Sequence, residues 1–200
     1  MNTRPLAAVR LLASLRAMLA AEAPRADPLE GIASAVLVPL FEQEGDLHVL
    51  YTKRSEALPH HQGQVAFPGG RHVADTDPNL LATALRETEE EIGVDPRHVD
   101  VLGPLAPIHT FSSNFVINPF VGVIPHPYTF RPDPHEVSAI FSVPLEVLID
   151  PATAAEEQWV LEGHQIPVET YRHGGQVIWG ATQRITATLL DLLTAIRTAS

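Results

Sequence analysis

Arg86-Glu87-Thr88-Glu89-Glu90-Glu91-Ile92-Gly93-Val94 sets four glutamates within five residues, just downstream of a Phe67-Pro68-Gly69-Gly70 turn. At about 100° per residue, Glu87, Glu90 and Glu91 share one edge of a helix. Leu81, Ala84, Leu85, Thr88 and Ile92 occupy the neighbouring arc. Like charges spaced this way cost a helix about 0.2–0.5 kcal/mol per pair, so the arrangement calls for relief. Two readings supply it: a solvated acidic face, or carboxylate ligands for a hard divalent cation whose remaining positions go to water and phosphate oxygens. A glycine turn beside the helix permits close backbone approach to a ligand, and the second reading is then metal-assisted phosphate chemistry. Glu89 points off the shared edge and reads as solvated.

Positioning these carboxylates requires a helix and a sheet. Asp77-Pro78 predicts an N-cap with proline at the first helical position, giving a helix over about 78–92. Gly93 suits the left-handed position that ends it, and Asp95-Pro96 blocks continuation. Upstream, Ala33 to Phe41 and Leu47 to Lys53 read as strands of a hairpin around a Glu42 to Asp46 turn. Arg54 to Gln64 is a polar, histidine-bearing loop, Val65 to Phe67 a short strand and Arg71 to Asp77 a loop. Downstream, Val99 to Ile108, Asn118 to Ile124, Val137 to Pro144 and Gln176 to Trp179 read as strands. A short helix is expected over Pro144 to Leu148. A C-terminal helix over Ala181 to Thr198 carries Ile185, Leu189, Leu192, Leu193 and Ile196. Thr3 to Ala23 is apolar but interrupted by Arg10 and Arg16, which suits a helix packed on the domain, followed by a break over Ala23 to Asp27, better than a signal peptide.

Two hundred residues, 45% hydrophobic and 18% charged, describe one domain over 1–200 with a core from about 32 to 193 and an N-terminal helix within 1–26. The absence of cysteine excludes disulfides, cysteine-ligated zinc and thiol nucleophiles, and makes the cytoplasm the simplest location. A net charge of -11 with 13 scattered Lys and Arg argues against nucleic-acid partners, and no apolar stretch is long enough to span a membrane. The ten histidines include no pair at helical ligand spacing, so zinc is not expected.

Arg86 to Val94 resembles the second half of the box of the Nudix hydrolase family, with Thr88 in its apolar slot. The first half departs from the pattern. Gly70 to Arg86 is two residues longer than standard, and the two counted positions for the box glutamate hold Thr76 and Pro78, with Asp75 and Asp77 nearby. A second stretch, Leu50-Tyr51-Thr52-Lys53-Arg54-Ser55, Gly63 and Phe67-Pro68-Gly69-Gly70, is similar to the signature of the coenzyme A pyrophosphatase branch. Tyr51 replaces a Leu and Pro59 replaces an Arg in it. Gln176-Val177-Ile178-Trp179-Gly180-Ala181-Thr182 also resembles this branch, and the likeness runs from about Ile32 to Leu193.

The resemblance implies an α/β/α sandwich of α+β type around a mixed sheet, and Mg²⁺- or Mn²⁺-dependent hydrolysis of coenzyme A to 3′,5′-ADP and 4′-phosphopantetheine. Another nucleoside diphosphate derivative, such as ADP-ribose or a dinucleoside polyphosphate, is the alternative substrate. A nucleotide-binding module without hydrolysis is the alternative class. Glu87 and Glu91 are the expected principal metal ligands, and Glu90 is a third ligand or the base, with Glu90 and Glu91 exchangeable. Gly69 presents its carbonyl to the metal. Arg86, four residues before Glu90, braces that carboxylate. Arg54, ahead of Lys53, meets substrate phosphates. Ser55, Gly63, Phe67 and Gly70 complete the expected substrate set, although Phe67 also suits the core. His60 and His61 sit in the same loop. Glu136 suits a supporting group or a distal base, Asp75 and Asp77 suit turn or cap positions, and Glu156 and Glu157 suit the surface.

Overall fold

Ala35 to Phe41 is apolar at every position, as a strand buried on both faces must be, and it forms the middle of the central sheet. The computed structural model describes residues 4–21, 30–110, 113–161 and 163–199, so the expected Ala23 to Asp27 break lies outside the described residues. Strand β1 (Ile32–Gln43) turns into β2 (Asp46–Arg54) through Glu44 and Gly45, both at positive φ, as a two-residue hairpin requires. Two short strands follow: β3 (Val65–Ala66) on β2, and β4 (Gly69–Arg71) on β1. Helix α2 (Leu80–Ile92) leads to β5 (Asp100–Pro104), β6 (Ile108–His109) and β7 (Phe115–Val123). The last of these lies parallel to β1 from Ile32/Phe115 to Leu40/Val123, and β5 and β6 pair antiparallel with it. Strand β8 (Val137–Pro144) covers the length of β2.

Alternation along the strands divides the core into two layers. Val38, Leu40, Val49 and Tyr51 face helices α1 (Arg4–Ala21) and α4 (Gly180–Ala199), meeting Leu15, Leu19, Leu189 and Leu193. Phe41 and Leu50 point the other way, onto Ile92 of α2 with Val94, Ile124 and Val137. The result is the expected α/β/α sandwich around a mixed sheet. Tyr51 is fully buried, and its hydroxyl is hydrogen-bonded to Thr186 on α4 at 3.0 Å, tying the sheet to that helix.

Several expected elements differ. The helix begins at Leu80 rather than 78, because Asn79 caps it by accepting from the Ala82 N–H, while the Asp77 carboxylate is engaged elsewhere. The expected strand from Val99 to Ile108 divides into β5 and β6, with Gly103 in an irregular register and Pro104 and Pro107 unable to donate to a ladder. The next strand starts at Phe115, three residues before the apolar cluster suggested, because parallel pairing with β1 recruits them. A second, antiparallel sheet of β9 (Ala154–Leu161), β10 (His164–His173) and β11 (Gln176–Trp179) includes two strands that turn chemistry alone does not reveal. Glu157 is consequently more than a surface group. It accepts from Arg172 at 2.6 Å and from the Trp159 indole, and Arg172 holds its carboxyl down at about 2. A short helix α3 (Leu145–Ile149) follows β8 as expected.

Candidate active site

The amphipathic pattern of α2 seats Thr83, Ala84, Thr88, Glu91 and Ile92 against the sheet. Gly93, at φ 73°, ends the helix and donates its N–H to the Glu89 carbonyl. The following carbonyls are taken by a distant loop: Asp133 N–H donates to Glu91 O and Arg131 N–H to Ile92 O, both at 2.9 Å. That loop continues to Glu136, whose carbonyl accepts from Ser55 N–H at 2.8 Å. The end of β2, the end of α2 and Glu136 are thereby fastened together.

Strand β4 brings the glycines under the helix. Leu37 N–H to Pro68 O and His72 N–H to Ala33 O are ladder bonds, so Gly69, opposite Val36, lies between bonded pairs and turns its N–H and C=O away from β1. That N–H donates to the Glu91 carboxylate. Gly69 has φ +153°, and a Cβ there would stand 2.3 Å from the Ala35 carbonyl oxygen. At Gly70 a Cβ would stand 2.5 Å from the Glu87 carboxyl carbon.

Glu87 and Glu91 therefore converge over Gly69 and Gly70, and Glu90 does not join them. Its side chain is 59% exposed and bonds Arg86 at 2.8 Å, the brace expected from the spacing. Arg86 also reaches Glu87 at 2.8 Å and Asp77 at 2.8 Å. Glu89 is exposed, as expected. Glu91 is 4% exposed, and burial pushes its carboxyl up to about 8. The Arg54 guanidinium and the Gly69 N–H oppose that rise, while Glu136 and Glu87 add to it. Glu87 is also raised, by burial first, against the pull of Arg86.

Arg54 thus faces Glu91, and its Nε is buried without a hydrogen-bond partner among the described residues. Lys53 precedes it at a register shift, where Ser138 Oγ donates to the carbonyls of Lys53 and Arg54. Ser55 is buried, with its hydroxyl accepting from Ala57 N–H. Gly63 lies in the loop against the Glu56 carboxylate. Phe67 is buried and stacked on Tyr51 at 4.9 Å, so its ring belongs to the core rather than to a ligand surface. Asp75 is exposed; Asp77 is buried, which its spacing alone does not signal. A cavity of about 580 Å³ lies elsewhere, between α1, the β1–β2 turn and the end of α4, and includes none of these carboxylates.

Among the described residues no three acidic or histidine side chains are already gathered as an ion cage. Arg86 occupies Glu87, and a hydrogen bond occupies Glu91. The donor chemistry nonetheless fits a hard cation: two half- to fully buried carboxylates, a third acid nearby and an off-ladder glycine carbonyl. A cation would replace the proton that burial retains on Glu91.

Comparison with known proteins identifies the family. The NUDIX domain model matches residues 31–163. NudL of Photorhabdus laumondii, an uncharacterized Nudix hydrolase, is 39% identical over 153 residues, 76% of this chain and 80% of its own. Mitochondrial Nudix hydrolase 15 of Arabidopsis thaliana is 40% identical over 76% of this chain, and the mouse peroxisomal coenzyme A diphosphatase NUDT7 is 36% identical over 70%. This chain spans only 55% and 58% of those two proteins. Among solved structures, DR0079 from Deinococcus radiodurans shares the fold at a TM-score of 0.53 and 14% identity, over 82% of this chain and 88% of its own. No helix among the described residues is long and apolar enough to cross a membrane. With a family model spanning well over half of the sequence and a bacterial relative matched over most of its length, this chain belongs to the NUDIX domain family.

Proposed function

We propose that this chain hydrolyses the pyrophosphate bond of coenzyme A and its derivatives, giving 3′,5′-ADP and 4′-phosphopantetheine. The observation that carries the reading is buried Glu91, set between the Gly69 N–H, Glu87 and the Arg54 guanidinium. Mg²⁺ or Mn²⁺, held by Glu87 and Glu91 with the Gly69 carbonyl as a further donor, would polarise phosphoryl oxygens and lower the pKa of the attacking water. Arg54, whose Nε has no hydrogen-bond partner among the described residues, binds phosphate oxygens, with Lys53 as a second cation. Ser55 and Gly63 shape the loop beside them, and Gly70 leaves room for Glu87. Glu90, on the solvent side of the same helix, is a third ligand or the base that orients the water and takes its proton, a role it can exchange with Glu91. As the water oxygen bonds to phosphorus, the bridging P–O bond breaks and its electrons leave on the departing phosphate.

The Leu50 to Gly70 signature and the name of the mouse relative support coenzyme A as substrate. Exposed Pro59, where that signature has Arg, favours a second reading: another nucleoside diphosphate derivative such as ADP-ribose or a dinucleoside polyphosphate. A cysteine-free sequence supports a cytoplasmic setting; the mitochondrial and peroxisomal names belong to the relatives. The test is product analysis with coenzyme A, ADP-ribose and diadenosine polyphosphates, with and without Mg²⁺. Turnover of coenzyme A only with metal is expected; untouched coenzyme A beside turnover of another substrate overturns the reading.

A further inference from the structure

Strand β9 is the outer strand of the second sheet. It pairs with β10, and no described strand lies along its other side. The register shows which of its backbone groups face outward. Gln158 stands opposite Pro167, which has no N–H, so these two cannot exchange a pair of ladder bonds. Gln158 therefore turns its N–H and C=O away from β10, and Glu156 and Val160, two residues to either side, do the same. The Ala155 carbonyl, one step out of phase, points inward and accepts from the Thr170 hydroxyl at 3.3 Å. This free edge is eight residues long, with no proline, lysine or register break to blunt it. Val160 on it is 70% exposed, more than any other large apolar side chain described.

From this geometry we propose that β9 is an interface between two copies of this chain. Their β9 strands pair antiparallel about a two-fold axis at Gln158, joining two three-stranded sheets into one of six. An isologous contact requires a strand that meets its own charges without conflict. With the axis at Gln158, Glu156 faces Val160 of the second copy and Glu157 faces Trp159 of the second copy, so no glutamate meets another. Glu157 is already neutralised by Arg172 at 2.6 Å. An axis at Glu157 would set the two Glu157 carboxylates against each other. One at Trp159 would leave Ala154 to Glu156 of each copy beyond Leu161 of the other. In the favoured register the outward groups of Glu156, Gln158 and Val160 bond reciprocally, and the exposed Val160 side chains are covered. The pairing uses the β9 edge of both copies, so it closes at two.

The test is sedimentation and light scattering of the full chain over a concentration series, where a monomer–dimer equilibrium is expected. Gln158→Pro removes an outward N–H that β10 does not use, and should raise the dimer dissociation constant at least about tenfold. Val160→Glu and Val160→Lys then separate this register from a merely sticky surface. Glutamate facing Glu156 should weaken the dimer about tenfold or more, whereas lysine facing Glu156 should retain or tighten it. Val160 is exposed, so both variants are expected to fold as the wild type does. Amide exchange reads the ladder directly: the Gln158 and Val160 N–H groups should exchange more slowly as wild-type concentration rises. A chain that stays monomeric up to about 1 mM overturns the proposal. So does a dimer that survives both Gln158→Pro and Val160→Glu, one that Val160→Lys breaks as readily as Val160→Glu, or one that leaves the exchange of those two N–H groups unchanged.

Discussion

The Glu87 carboxyl group rests on Gly70 so closely that a Cβ on the glycine would stand 2.5 Å from its carbon. The glycine is therefore part of how the acid is aimed. Gly70→Ala is expected to displace Glu87, lowering metal-dependent hydrolysis at least about tenfold while the thermal midpoint moves only a few degrees. Gly69→Ala should behave differently. Its Cβ would meet backbone at 2.3 Å with φ at +153°, so a loss of about 3 kcal/mol or more in unfolding stability is expected. Denaturant titration of both variants beside their activity separates the two effects.

Glu90→Gln and Glu91→Gln should each lower turnover sharply, by roughly two orders of magnitude or more. Neither should unfold the chain. Glu90 is exposed and its i, i+4 pair with Arg86 is worth about 0.5 kcal/mol, while glutamine at 91 removes a charge that burial already disfavours. Full activity in both variants would refute the assigned chemistry.

Metal-free stability should fall as pH rises toward 8. Burial lifts Glu91 from 4.5 to about 8, so between those values the folded chain holds a proton that the unfolded chain releases. The contribution is complete below about 4.5 and is lost as pH climbs through about 8. Denaturant curves in chelator at pH about 6 and about 8.5 should show this loss in the wild type and much less of it in Glu91→Gln. Saturating Mn²⁺ should reverse the trend, because the cation binds the deprotonated form.

Tyr51→Phe should cost about 1 kcal/mol in unfolding free energy without changing turnover, since among the described residues the hydroxyl it removes bonds only Thr186, across the buried sheet–helix interface. A much larger loss of turnover than of stability would place Tyr51 in the chemistry instead.

The edge formed by Glu87, Glu90 and Glu91 and the brace from Arg86 to Glu90 were legible in the sequence, because helical spacing alone decides which side chains are neighbours over one turn. The end of α2 at Gly93 was legible for the same local reason. Strands β9 and β10 were not, since β9 reads as a charged, surface-like segment until Glu157 meets Arg172 fifteen residues later. Asp77-Pro78 reads as the start of α2, which the structure places at Leu80, because a capping residue and a buried ion-pair residue look alike when the partner lies nine residues away.

The sequence by itself determined the kinds of groups available, the periodicity that stacks them, and the glycines that let backbone approach a ligand. Only the tertiary structure decided that Glu91 is buried beside Arg54 and Glu136, that Glu90 stands apart in solvent, and that Asp77 holds the far side of Arg86. The physical reason is that burial and electrostatic coupling depend on which elements pack together. β2, β4, α2 and the 131–136 loop meet at one point although more than eighty residues separate the first from the last.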